Sequence, residues 1–255
     1  MILRVENLGK VYKDKTAVEG VSFELDGGRV LAIVGENGAG KTTILKCVVS
    51  LRKPTFGTVE VHGKISYVPE GKELYRWASV EQMLEMAAWY SKDFDIEKAR
   101  RLISSSRIEP SEKIANLSLG ERTLLYMAIA LAESADVYVL DEPTWGLDPL
   151  KRRIVLDEIL ELSLEGKAVL MSTQIVEDVE VVASDVLVLK EGKVVEMGEV
   201  DEIKEKYVLA PCGKGYLYRE TSEGRICLVK KEEGIEGEAA SLREIVEALM
   251  RGERV

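Results

Sequence analysis

At 255 residues and 46% apolar content, the chain has room for one large α/β domain and a small addition. Acidic residues outnumber basic ones 45 to 35, and the net charge of −10 argues against non-specific binding to nucleic acid, whose phosphates would be repelled. The longest unbroken apolar run, Leu124 to Ala132, falls far short of the roughly 18 residues that a membrane span needs.

The N-terminus, MILRVENLGK, has no charged-then-apolar leader pattern, so a cytoplasmic location is expected. Ile2 to Val5 reads as a strand, followed by Val18 to Leu25 with Val21, Phe23 and Leu25 on one face. Tyr12, in the turn region between them, is either core or a ring able to stack on a nucleotide base. Cys47, Cys212 and Cys227 are too few and too scattered for a disulfide framework or a metal site, and are expected to be small core or surface residues. His62, followed by Gly63, reads as a hairpin turn residue without a catalytic role.

The apolar run Val30 to Val34 predicts a buried strand, and Thr42 to Leu51 predicts a helix. Between them lies GENGAGKTT, residues 35–43, which fits G-x-x-x-x-G-K-[ST] with Gly35, Gly40, Lys41 and Thr42 at the fixed places. Glycines allow the backbone N–H groups to turn inward around a polyphosphate, the helix start adds its positive end, and Lys41 adds a full charge. The Thr42 hydroxyl is left to hold magnesium.

Thr58 to Val61 and Ile65 to Val68 are short predicted strands, the second leading to Pro69 and Glu70. A helical region follows from Ser79 to Leu117, opened by a Ser79/Gln82 capping box with Val80, Met83, Leu84 and Ala87 on one side. Of the aromatics Tyr75, Trp77, Trp89 and Tyr90, at least half are expected in the core, the remainder being available to dock a partner. Ser118 and Glu121 form a further capping box. The helix it opens presents N–H groups, the Ser118 hydroxyl and Gly120 as a second phosphate site. Val137 to Leu140 is an apolar strand ending in Asp141 and Glu142, a pair suited to one magnesium ion through Asp141 and one polarised water through Glu142.

Taken together, residues 1–204 resemble the nucleotide-binding subunits of ATP-binding cassette (ABC) transporters. Tyr12 matches the adenine-stacking aromatic, residues 35–43 the phosphate loop, and the Tyr-Val-Pro-Glu segment ending at Glu70 the place of a magnesium-binding glutamine. LSLGE at 117–121 looks like the family signature, VYVLDEP at 137–143 like its Walker B strand and WGLDP at 145–149 like its D-loop. The resemblance implies an α/β P-loop NTPase cassette: a mixed β-sheet core, an antiparallel β subdomain and a helical subdomain at about 75–120. It also implies an ATPase that powers transport of an unspecified substrate through a separate membrane permease, on the cytoplasmic face of the membrane. A soluble ATP-gated assembly protein or a weakly hydrolysing regulatory cassette is the alternative.

In such proteins two cassettes, identical or different, pack head to tail around ATP and magnesium. By resemblance, Tyr12, Gly35, Glu36, Asn37, Gly38, Ala39, Gly40, Lys41, Thr42 and Thr43 bind the nucleotide from one side, and Ser118 and Gly120 from the partner. Thr42, Glu70 and Asp141 hold the metal, and Glu142 and Gln174 act on the attacking water and the γ-phosphate. Four positions depart from the family pattern. Glu70 replaces glutamine, Leu119 replaces a signature glycine, Trp145 is bulky for a D-loop, and Gln174 in Met-Ser-Thr-Gln stands where a switch histidine is usual. Glutamine donates a hydrogen bond but carries no proton or charge, so slow hydrolysis is expected.

Beyond Gln174 the chain reads as a helix to about Ser184, a strand Val186 to Leu189, a turn at Glu191-Gly192-Lys193 and a strand Val194 to Met197. Residues 205–255 form an expected small α/β appendage: strands Tyr216 to Arg219 and Arg225 to Lys230, then a helix capped by Ser241 and Glu244. Its apolar face carries Leu242, Ile245, Val246, Leu249 and Met250, and it resembles the C-terminal extensions of exporter-type cassettes.

Overall fold

The computed structural model describes residues 1–71, 73–222, 224–231 and 236–255. The chain opens with β1 (Leu3–Tyr12) and β2 (Lys15–Leu25), then β3 (Val30–Val34), α1 (Lys41–Val48), β4 (Phe56–Val61) and β5 (Ile65–Val68). Helices α2 (Val80–Tyr90), α3 (Ile96–Ser105) and α4 (Leu119–Ala132) follow, then β6 (Val137–Asp141), α5 (Pro149–Leu164), β7 (Ala168–Thr173) and α6 (Val176–Val182). The remainder comprises β8 (Asp185–Lys190), β9 (Lys193–Glu199), α7 (Val200–Lys206), β10 (Tyr207–Pro211), β11 (Tyr216–Thr221), β12 (Gly224–Lys230), β13 (Glu238–Ala239) and α8 (Leu242–Arg251).

Strands β3, β6 and β7 are buried at every residue, as expected for parallel strands covered on both faces. They sit at the centre of a six-stranded sheet ordered β5-β6-β7-β3-β8-β9, parallel except for the β8–β9 hairpin. Side chains alternate between its faces. Val30, Ala32 and Val34 face one core cluster with the helices α2 to α6, whereas Leu31 and Ile33 face another with α1, β1 and β2. Strands β2-β1-β4 form a separate antiparallel sheet.

Because β4 and β5 belong to different sheets, His62 is not a hairpin turn residue: it lies in the crossing between sheets, its N–H donating to Ile2 O at 2.8 Å. The Glu191-Gly192 turn does close a hairpin, with positive φ at both residues as its two-residue form requires. The capping boxes at Ser79, Ser118 and Ser241 are all formed.

Two further expectations are overturned. Tyr75, Trp77, Trp89 and Tyr90 are 59%, 66%, 88% and 88% exposed, so none belongs to the core. Helix α2 buries only Val80 and Leu84, and its length carries Trp89 and Tyr90 past the surface it covers. Cys212 and Cys227 form a disulfide, because the antiparallel pairing of β10 with β12 brings residues 15 apart in sequence to a Cα separation of 5.0 Å. Cys47 is buried with a free thiol.

Helix α7 and strand β10 lead the chain into a four-stranded sheet, β11-β12-β10-β13. Tyr207, Leu209, Leu228, Leu242, Ile245, Val246 and Leu249 join the same apolar cluster as Val176, Val179 and Val182 of α6. The C-terminal residues therefore close the core beside α6 rather than enclosing only one of their own.

Candidate functional site

Four neighbouring parallel strands, β5, β6, β7 and β3, end on one edge of the sheet, where α/β proteins place their ligands. At or just beyond their carboxyl ends lie Glu70, Asp141 with Glu142, Gln174, and Gly35. Local sterics shape the loop after β3. A Cβ on Gly35 would sit 2.5 Å from Leu189 O, and one on Gly40 2.6 Å from Ala17 O with φ at +110°, so both positions exclude any side chain. Gly40 starts α1 without a side-chain cap, leaving its first N–H groups facing the loop.

Lys41, 6% exposed, donates to Gly35 O at 2.6 Å and Glu36 O at 3.3 Å, and its Nζ lies 3.2 Å from Glu142 Oε1. The Thr42 hydroxyl donates to Asp141 Oδ1 at 3.2 Å, and the Ser172 hydroxyl to the same oxygen at 2.6 Å. Asp141 is fully buried, yet its Oδ2 takes no hydrogen bond. A buried carboxylate oxygen left so is costly unless a cation or donor meets it.

Glu142 is buried with φ at +49°, a conformation costing a non-glycine residue on the order of 1–3 kcal/mol. Its N–H is held by Ser172 O and Oγ, and its Oε2 accepts from Gln174 N at 3.3 Å. A cleft of about 430 Å³ is lined by Tyr12, Glu36, Asn37, Gly38, Gly40, Lys41, Thr42, Thr43, Glu70 and Glu142. The Tyr12 ring is 40% exposed, with Lys10 Nζ 5.2 Å from its centroid. Burial, and then the Asp141 carboxylate, push the nearby Tyr67 phenol up, so it stays neutral beside these acids. Ala39 is buried under the loop, and Gln174 lines an adjoining cavity of about 570 Å³ together with Gly35, Asn37 and α8 residues Val246 and Met250.

Ser118 and Gly120 are not among the residues lining the 430 Å³ cleft. They lie at the start of α4 beside the turn after β6, where a Cβ on Gly120 would meet Gly146 O at 3.3 Å. Ser118 is exposed, and its hydroxyl donates to Glu121 Oε2 at 2.7 Å; that bond, with one from the Ser118 N–H, holds the Glu121 carboxyl below its usual range. Leu119 and Trp145 project beside it, 55% and 51% exposed.

Ser172 was not singled out from sequence, although two polar residues, Ser172 and Thr173, end an otherwise apolar buried strand and mark the place. Thr144 and Asp178 were missed as well; an acid within the apolar pattern of α6 was the signal.

Residues 18–145 match the family model described as ABC transporter. The chain belongs to the ABC transporter family. It is an ATP-binding subunit of that family, an ATPase with a P-loop fold, and such subunits dimerise and work with membrane permeases. The cassette is similar to an uncharacterised ABC transporter ATP-binding protein of Methanocaldococcus jannaschii, 34% identical over 98% of this chain and 94% of that one. It is 30% identical to the ABC-type transporter ATP-binding protein EcsA of Bacillus subtilis, over 87% of this chain and 97% of that one. A solved ATP-binding subunit of an ABC transporter superposes with a TM-score of 0.72 at 28% identity, covering 80% of the cassette and 92% of that structure. A dimeric ABC transporter cassette superposes at 0.70 and 22% identity, over 78% and 98%, a likeness of fold alone.

Proposed function

We propose that this cassette binds magnesium and ATP in the cleft above β3 and β6, and that hydrolysis there drives a separate membrane permease. The observation that supports this most is the meeting of Lys41 and Thr42 at the start of α1 with Asp141 and Glu142 at the end of β6, within hydrogen-bond or ion-pair distance. Tyr12 stacks on the base, residues 35–43 wrap the phosphates, and Lys41 exchanges Glu142 for a phosphate oxygen. Thr42, Asp141 and Glu70 would hold magnesium, a role for which the unpartnered Asp141 Oδ2 is suited. When bound, magnesium would neutralise charge on the phosphates.

Glu142 takes a proton from the attacking water, and the Gln174 side-chain amide donates to the γ-phosphate. Since Ser118 and Gly120 stand apart from this cleft, a second cassette supplies them to it, head to tail. Among the described residues no helix is long and apolar enough to cross a membrane, which fits an assignment to the cytoplasmic face, held there by the permease. The permease docks on the exposed aromatics that follow Glu70.

The test is steady-state Mg·ATP turnover over a range of cassette concentrations, beside Glu142→Gln. Turnover per cassette should rise with concentration and fall by about two to four orders of magnitude in the variant, with ATP binding retained. Strictly linear turnover, or turnover indifferent to Glu142, would refute the shared site or the base.

A further inference from the structure

Asp178, on α6 just beyond Gln174, is fully buried and does not line the cleft. Its two oxygens serve two other elements. Oδ2 accepts from the Thr144 hydroxyl, and Oδ1 from Arg152 Nε at 2.5 Å. Thr144, 1% exposed, belongs to the turn that runs from Glu142 to Trp145, and Arg152 lies near the start of α5.

Stability alone is a poor reason for this charge: an apolar side chain in such a place is often as stabilising as a buried ion pair, because the lost hydration offsets the attraction. The triad does achieve one thing that an apolar contact does not, which is a directional link. The Glu142 turn also meets β7 and the segment after it through the Ser172 bonds to the Glu142 N–H and through Gln174 N to Glu142 Oε2 at 3.3 Å. These hold Glu142 itself. The turn beyond it is closed by its own backbone, Trp145 N to Glu142 O and Leu147 N to Thr144 O, and Asp178 ties that turn to α6.

We propose that Asp178 is a positioning residue for ATP hydrolysis. By gripping Thr144 and Arg152 from α6, it sets the spacing between the Glu142 carboxylate and the Gln174 side chain around the γ-phosphate. It also makes the exposed Trp145 turn move as one body with Gln174, so that a change at the dimer surface reaches the hydrolytic groups. This rests on Glu142 acting as the base.

The experiment uses the full chain with Thr144→Val, Thr144→Ser, Asp178→Asn, Gln174→Ala, and Asp178→Asn combined with Gln174→Ala. For each, kcat, KM for Mg·ATP, ATP affinity and melting temperature are measured. Thr144→Ser keeps the hydroxyl and should retain kcat. Counted per ATP-binding site, Thr144→Val and Asp178→Asn should lower kcat by about tenfold or more while KM and ATP affinity move by less than about threefold; an undiminished ATP-binding stoichiometry separates this from loss of folded protein, which would lower apparent kcat at unchanged KM. The combined variant should be no slower than the slower single one, because both act on one spacing.

A folded Thr144→Val with wild-type kcat would overturn the proposal, as would effects in the combined variant that simply multiply. Thr144→Val is close to isosteric and decides the matter if Asp178→Asn does not fold. Wild-type turnover that ignores Glu142→Gln would sink the underlying reading, whereas Glu142-dependent turnover insensitive to Thr144→Val sinks only the role of Asp178.

Discussion

Gln174 presents an amide where a proton-carrying imidazole is usual, and its backbone N–H already engages Glu142 Oε2. In the proposed site its side chain would offer an uncharged donor to a γ-phosphate whose negative charge is spread over three equatorial oxygens during transfer. Gln174→His should raise kcat, on the order of tenfold, with little change in KM, as measured by steady-state Mg·ATP turnover. An unchanged or lower kcat would mean that Glu142 and Lys41 already complete the chemistry. At this scale the phosphate loop was legible, because Gly35 and Gly40 answer to backbone clashes with Leu189 O and Ala17 O that no other residue type survives. The Lys41–Glu142 ion pair was not: it joins residues about a hundred positions apart, and nothing near either one announces the other.

Among the elements, the capped helices were read closely, since a capping box is complete within four residues. Strand β10 was missed, although its pairing with β12 makes the Cys212–Cys227 disulfide. Two cysteines 15 residues apart say nothing of pairing until the antiparallel strands bring their Cα atoms to 5.0 Å. A closed loop of this length is worth about 3 kcal/mol, chiefly by restricting the unfolded chain. Denaturant melts should show Cys212→Ala, or the wild type in reductant, less stable by about that amount, with the two coinciding. Melts indifferent to reductant would show that the bond adds no stability to this sheet.

For the whole molecule, the four exposed aromatics fall in two places. Tyr75 and Trp77 lie 6.0 Å apart between rings before α2, and Trp89 and Tyr90 end it. Exposed side chains of this size suit the permease docking proposed above. Because Tyr75 and Trp77 follow Glu70, a permease seated on them would feel changes at the γ-phosphate side of the cleft. Tyr75→Ala with Trp77→Ala should cut co-purification of the permease by about tenfold or more while the cassette's own ATP affinity stays put. Undiminished co-purification would exclude this face. The C-terminal residues bear on the molecule as a whole too, since α8 shares its core with α6, which follows Gln174.

What the sequence determined by itself was whatever short-range physics decides: the glycine loop, the capping boxes, the strand and helix periods, and through six motifs in order the family and its chemistry. Tertiary structure alone decided the order β5-β6-β7-β3 that brings Glu70, Asp141, Glu142 and Gln174 to the phosphate loop. It also decided the Asp178 triad, the disulfide, the exposure of the aromatics and the seat of α8 beside α6. Each of these depends on which distant segments become neighbours, and that follows from how the apolar faces of the whole chain are buried together, not from any local pattern.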